Sequence, residues 1–462
     1  MSKHPAFFAK LAGPACFTFL VLACSDQQPS GPRPSAPSFE LQGAETTPTD
    51  QHVVVMNGGI PDDFASRVEA LGGTVAARYP DIGVAVTAGL SDGAAARLAR
   101  TPGVAGVERD VLVQWIPSSD QFNVETLEAP SDQTDQSGAV FFSFYQWNLR
   151  QIDANDAWLT TNQGAGTRVA ILDTGTDPTH IDLVGKIDLA ASRSMLTSSP
   201  CGPADYNTIN DLNFHGSFVS GIVSTNGIGV ASVAPDARLI AVKVLNCSGS
   251  GSFASVIGGI VHATNVGADV INMSLGAYFP KNSPGGGQLV AALNRATNYA
   301  NSRGTLVVAA AGNGADDLQH DGNFTFVPAQ SANVTSVGAT GPINQTNFDQ
   351  LAYYTNFGVS GVDVMAPGGN FQGGGQLRDG ITSVCSSFVC GAHNVYLTGG
   401  NGTSFASPHA AGTAAVVLSD FPDKGPSQLE HCIFKGADDL GKPGVDQEYS
   451  HGRINVVGAA GC

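Results

Sequence analysis

The chain has 462 residues, 42% of them hydrophobic and only 13% charged, enough apolar content to bury a large core and to exclude wholesale disorder. Its 57 glycines lack the every-third-residue period of collagen and point instead to many tight turns. Against 22 Lys and Arg stand 39 Asp and Glu, a formal charge of −17, so nucleic acid is not expected among its partners, because phosphate affinity is mostly cationic.

Lys3, His4 and Lys10 give a basic start, and residues 11–23 form an apolar run ending in small residues. The run is too short to span a bilayer comfortably and a polar stretch follows it, so residues 1–24 read as an export signal. The protein is expected outside the cell or in the cell envelope. Val21-Leu22-Ala23-Cys24 resembles a bacterial lipoprotein signal, in which the cysteine is acylated after cleavage. Cys24 is thus the lipidation candidate and would anchor the precursor transiently to a membrane. Residues 25–50, rich in Ser, Pro, Gln and Thr, have the composition of a disordered tether.

Residues 51–116 change texture. Val53-Val54-Val55 predicts a strand, and Phe64, Val68 and Leu71 recur at helical spacing. Strands follow at 74–78 and 84–86, then an Ala-rich helix at 91–100 and a last strand at 104–115. The order β-α-β-β-α-β predicts a small α+β domain of ferredoxin-like arrangement. Gly89-Leu90-Ser91-Asp92-Gly93 satisfies the pattern of a nucleophile elbow. A four-stranded domain lacks the wide parallel sheet that displays one, so Ser91 reads as a helix N-cap.

Residues 117–144 hold Asp120, Glu125, Glu128, Asp132 and Asp135, and no Lys or Arg. They read as an exposed acidic linker open to proteolysis. Residues 145–462 then alternate apolar strands (168–172, 239–245, 270–273, 306–310) with amphipathic helices such as 253–266. Continuous apolar strands between helices predict an α/β fold with a mostly parallel sheet covered on both faces. Apart from Cys16 and Cys24, six cysteines remain: Cys201, Cys247, Cys385, Cys390, Cys432 and Cys462. In an exported domain they favour three disulfides, for which 15 connectivities are open. The pairing expected is Cys385 with Cys390, Cys432 with Cys462, and Cys201 with Cys247. A metal held by Cys385, Cys390 and His393 lacks a second cluster of ligand spacing.

Three segments carry chemistry. Val169-Ala170-Ile171-Leu172-Asp173-Thr174-Gly175 ends a buried strand on a carboxylate. Asn213-Phe214-His215-Gly216-Ser217 puts a histidine at a helix start. Gly399-Gly400-Asn401-Gly402-Thr403-Ser404-Phe405-Ala406-Ser407-Pro408-His409 puts a serine where a glycine-rich loop enters an apolar helix. A serine hydroxyl needs a base to take its proton, and the base needs a carboxylate to hold its tautomer. Strand ends and helix starts of an α/β sheet converge at one edge, where the three could meet. His409 and His180 read as structural histidines, the second expected at the surface.

In this order the segments resemble those of the subtilisin-like serine proteases, the subtilases. The resemblance covers residues from about 145 to 462 and includes Val270-Ile271-Asn272-Met273-Ser274-Leu275-Gly276, Met365-Ala366-Pro367-Gly368 and Gly452-Arg453-Ile454-Asn455. It implies Asp173 as the orienting acid, His215 as the general base and Ser404 as the nucleophile. It implies an oxyanion hole from Asn313, in Ala310-Ala311-Gly312-Asn313-Gly314, and the N–H of Ser404. One such donor is worth about 100- to 1,000-fold in turnover, a figure that comes from a subtilisin. Peptide substrates would add as a strand between Gly249-Ser250-Gly251, with Phe253 beside it, and Ser274-Leu275-Gly276, next to Ala310-Ala311-Gly312. None of these residues is charged, so a neutral or apolar residue is expected before the scissile bond.

By the same resemblance the 51–116 domain would be a propeptide, chaperone and intramolecular inhibitor of a zymogen that processes itself. Protein and peptide substrates, no cofactor for the chemistry, and a monomer are expected. Two departures stand out. Where the family usually has a second histidine, three residues after the first, this chain has Phe218. The loop 224–230 is shorter than the calcium-binding loop of the best-known members, leaving Asp182, Asn226, Ile228 and Val230 as candidate ligands of a structural calcium, which wants six to eight oxygens.

Overall fold

The computed structural model describes residues 46–116, 125–129, 135–281, 286–320, 322–372 and 375–462. The expected export signal with Cys24, and the tether up to residue 45, lie outside these. From Thr46 the chain forms β1 (Thr46–Met56), a helix (Phe64–Glu69), β2 (Thr74–Tyr79), β3 (Val84–Ala88), a helix (Asp92–Leu98) and β4 (Val104–Gln114). The strands pair antiparallel in the order β2-β3-β1-β4. Along β1 the side chains alternate between two environments, as the pleat requires. Val54 and Met56 join a small core with Phe64, Val68 and Leu98. Val53 and Val55 face the other way, into the core that holds the Phe253–Asn265 and Gly286–Ser302 helices. Ser91 caps its helix by accepting from Ala94 N at 3.3 Å.

β1 begins inside the stretch expected as a tether through residue 50. Thr46, Thr47 and Pro48 are exposed and register with Val113, Leu112 and Val111 of β4. Backbone pairing orders them, and hydrophobicity carries no sign of it.

The remaining strands are β5 (Glu125–Glu128), β6 (Arg168–Asp173), β7 (Arg193–Ser194), β8 (Arg238–Lys243), β9 (Ser250–Ser252), β10 (Val270–Met273), β11 (Ala277–Pro280), β12 (Leu306–Ala310), β13 (Phe324–Val327), β14 (Val334–Thr340), β15 (Val364–Pro367), β16 (Ile381–Val384) and β17 (Val395–Gly400). One sheet runs β15-β14-β12-β10-β6-β8-β7 with every neighbouring pair parallel. Parallel strands need crossovers, and the helices that supply them cover both faces. In β6, Val169 and Ile171 pack into one core and Ala170 and Leu172 into the other. The strand order reverses at β6, with β8 on one side and β10 on the other. The crevice beyond the carboxyl ends at such a reversal is where open α/β sheets bind ligands. Asp173 is the last residue of β6.

β9 adds to the edge of β4, so the N-terminal strands and the larger part share one five-stranded sheet, β2-β3-β1-β4-β9. The described residues fall within a single unit rather than two. The stretch expected as an exposed linker also departs from expectation where it is described. β5 pairs with β17, Gln136 reaches Thr225 O and Ser232 N at 2.9 and 2.8 Å, and Phe141 packs on Tyr396 with ring centroids 5.2 Å apart. Glu125 and Glu128 stay exposed while their backbone joins the sheet, so exposed acidic side chains are compatible with an ordered strand. Disulfides join Cys201–Cys247, Cys385–Cys390 and Cys432–Cys462. Among the described residues no helix is long and apolar enough to cross a membrane.

Candidate active site

Asp173 and His215 are both fully buried, with His215 Nδ1 at 2.8 and 3.0 Å from the two carboxylate oxygens. His215 opens the His215–Val223 helix. The approach to that helix is organised by Asp211, which sequence reasoning did not single out. Its carboxylate accepts from Asn213 N, Phe214 N and Thr174 Oγ1 at 2.9–3.0 Å and from Ser217 N at 2.8 Å. An Asp two residues before an Asn, just ahead of a helix start, was the available signal. Lys243, at the end of β8, is buried and pairs with Asp205 at 2.8 Å. It also donates to the carbonyls of Thr174 and Asn210, fixing the turn that follows Asp173.

Ser404 is the second residue of the Thr403–Asp420 helix and its Oγ donates to Ser274 O at 3.2 Å. Ser274 Oγ returns a bond of 2.6 Å to Ser404 O. The next residue, Phe405, lies 5.7 Å from the His215 ring and 4.5 Å from Phe218, centroid to centroid. Phe218 is therefore a core residue that packs the serine helix onto the histidine helix. Asn313 Oδ1 accepts from Thr403 N and Oγ1 at 2.9 and 2.8 Å, and Thr403 Oγ1 accepts from Gly312 N at 3.0 Å. A carbon added at Gly402 would stand 3.5 Å from Asn313 Nδ2 and 3.6 Å from Ser404 N. Two donors thus flank one small space beside the serine, an arrangement suited to a developing oxyanion.

The residues expected to bind a peptide strand contact one that belongs to the chain itself. Leu112, Val113 and Gln114 register with Ser252, Gly251 and Ser250. Trp115 N and Ile116 N donate to Gly249 O at 3.2 and 3.3 Å, and Gly276 N donates to Trp115 O at 3.1 Å. The Trp115 indole donates to Gly251 O at 2.9 Å and packs on Phe253 and Phe279 at 5.2 and 6.1 Å. Leu275, Ala310 and Ala311 are buried behind this cleft.

The calcium candidates do not present a cation site. Asp182 accepts from Ile228 N, Gly229 N and Val230 N at 2.7, 2.9 and 3.1 Å, and from Tyr396 OH at 2.8 Å. Asn226 turns its amide nitrogen to Ile181 O and Val184 O at 2.9 and 3.0 Å. The groups converging on the carboxylate are N–H and O–H donors, where calcium requires oxygen acceptors. Cys201, Asp205 and Cys247 also cluster, but both sulfurs are engaged in their disulfide. Likewise Cys385 and Cys390 bond to each other, and His393 Nδ1 sits 2.9 Å from Thr179 Oγ1.

His180, expected at the surface, is buried, with Nε2 3.0 Å from Val395 O and its ring edge-on to Tyr396. His409 is buried within its helix, Nδ1 2.7 Å from Phe405 O and Nε2 2.7 Å from Asn148 Nδ2. Burial pushes its imidazole down to about 4, so it stays neutral and structural.

The subtilase family pattern matches residues 164–452. The chain is 36% identical over 316 residues to Subtilisin Savinase of Lederbergia lenta, covering 68% of this chain and 97% of that one. It is 33% identical over 323 residues to a thermophilic serine proteinase of Bacillus sp. (strain AK1), covering 69% and 68%. Among solved structures, the epidermin leader peptide processing serine protease of Staphylococcus aureus superposes with a TM-score of 0.73 at 25% identity, covering 90% of this chain and 98% of the other. The chain belongs to the subtilase family and is a serine endopeptidase.

Proposed function

We propose that the protein is an exported serine endopeptidase made as a self-processing zymogen. Ser404 attacks the scissile carbonyl, and His215, held by Asp173, takes its proton and returns it to the leaving amine. Asn313 Nδ2 and the Ser404 N–H receive the oxyanion. The residue before the scissile bond enters between 274–276 and 310–312, walls without charge, and is therefore apolar or neutral. Residues 51–116 act as inhibitory propeptide, 117–144 contain the processing region, and 145–462 form the catalytic domain. Lipid on Cys24 would tether only the prosegment, so that processing releases the enzyme.

The observation that carries this reading is the strand 112–116 lying in the cleft, bonded to Gly249, Gly251 and Gly276 as a peptide substrate would be. The test is the intact mass of the purified chain beside Ser404→Ala. The reading expects the wild type to lose about 115 to 145 N-terminal residues while the variant stays whole. Two whole chains would refute self-processing and favour a scaffold that binds peptides without cleaving them.

A further inference from the structure

Phe326 stands between the two walls just named. It lies on β13, in register with Tyr278 of β11, and is 6% exposed. A carbon added at Gly276 would meet Phe326 Cε1 at 2.3 Å and Cζ at 2.5 Å. One added at Gly312 would meet the same ring at 2.7 and 2.9 Å. Real Cβ atoms do not approach so closely, so the end of the ring rests against the bare Cα atoms of both glycines and fills the gap between them.

The ring is held there. Tyr278 packs edge-on against it with centroids 4.8 Å apart. The Tyr278 hydroxyl donates to Asp316 Oδ2 at 2.5 Å and accepts from Asn356 Nδ2 at 2.8 Å. Gln330 Oε1 accepts from Phe326 N at 2.6 Å. Swinging the ring away would break this packing and leave an apolar gap in the cleft.

We propose that Phe326 sets the primary specificity of the enzyme by flooring the pocket for the residue before the scissile bond. The inference rests on the cleft reading above and narrows it from neutral residues to small ones. Glycine, alanine and serine fit over the ring; leucine, phenylalanine and arginine collide with it. The Asp316 carboxylate is engaged by the Tyr278 hydroxyl.

The test uses the enzyme matured from the full chain and five peptides that differ only in that residue: Gly, Ala, Leu, Phe and Arg. Wild type is expected to cleave the alanine peptide with kcat/KM at least about 10-fold above the phenylalanine peptide. Phe326→Ala opens the floor, and the ratio should move toward phenylalanine by about 100-fold while cleavage after alanine persists. Phe326→Leu, which keeps more of the packing, should move it the same way by less. Equal or better cleavage after phenylalanine or arginine by wild type overturns the proposal. So does a ratio that neither variant changes. A chain that neither processes itself nor cleaves any peptide overturns the catalytic reading, and this inference with it.

Discussion

Replacing Asp182 by alanine tests how this protein stabilises a loop that in its best-known relatives is expected to hold calcium. The carboxylate is fully buried and accepts four hydrogen bonds, three of them from the consecutive N–H groups of Ile228, Gly229 and Val230. Successive N–H groups of this kind make an anion-binding concavity. Each donor left unsatisfied in the interior costs about 1–3 kcal/mol, and water entering the vacated space would satisfy some of them. The four losses are also coupled and do not add, so about 4 kcal/mol is expected for Asp182→Ala. Tyr396→Phe deletes a single donor and should cost about 1–2 kcal/mol. Burial and the neighbouring Asp182 charge raise the Tyr396 phenol, keeping it protonated and able to donate.

The assay is denaturant unfolding in a Ser404→Ala background, which removes self-digestion, with calcium and with chelator. The loss caused by Asp182→Ala should be the same with calcium as with chelator, because N–H groups converge on this carboxylate where a cation would sit. A loss below about 1 kcal/mol for Asp182→Ala would refute the hydrogen-bond reasoning. So would a calcium-dependent rise in midpoint that Asp182→Ala abolishes, since the carboxylate would then be a ligand.

Gly402→Ala places a methyl between Asn313 Nδ2 and Ser404 N. Turnover should fall about 100- to 1,000-fold, and because Gly402 has φ 159°, a conformation that L side chains rarely adopt, the Tm should fall as well; kinetics per folded enzyme and thermal melts would separate the two effects. His409 titrates near 4 when folded against 6.5 when exposed, so the unfolded chain binds a proton that the folded one refuses. Its contribution is intact above 6.5, and stability falls by up to about 3 kcal/mol as the pH drops to 4. His409→Gln should flatten that slope in unfolding measured across this range. Asp110, on β4, accepts from Val111 N and Ala254 N, and burial pushes its carboxyl up from 3.8 to about 6. The β4–β9 contact is therefore firmest below the lower value and weakens as pH rises through the higher one. Co-elution of the cleaved N-terminal part with the rest of the protein should follow this trend, and Asp110→Asn should remove it.

The Asp173–His215 pair, seen at 2.8 Å, and the candidate serine could be picked out because their chemistry is local in sequence. A carboxylate at a strand end, a histidine at a helix start and a serine after a glycine-rich loop each announce themselves. Their order excludes the accidental matches that any single segment invites. The parallel sheet was legible for a related reason: strands buried on both faces, such as β6 and β12, read as unbroken apolar runs. What the sequence hid is partnership across distance. Nothing in 112–116 says that it will pair with a segment about 136 residues later, and nothing in Phe324-Thr325-Phe326-Val327 places the Phe326 ring against Gly276 and Gly312. The polar start of β1 and the acidic β5 were misread because backbone pairing ordered them while their side chains faced water. His180 was misplaced because a buried imidazole satisfied by Val395 O looks, in sequence, like any histidine in a turn.

β9 is only three residues long and, among the described residues, pairs with β4 alone; without β4 that rim of the cleft would expose unpaired backbone groups, the feature of a protein most apt to adhere to its own copies. In the intact chain β4 covers that rim. If β9 also pairs with substrate, as proposed above, prolines or inward charges that would blunt the edge would cost it that pairing. Covering it with a piece of the same molecule avoids that conflict, because the seal comes with each copy and needs no encounter. Under the proposed self-processing, removal of β4 would unveil this edge and the working enzyme by one event, so no copy would travel with an open edge before it has a use for it.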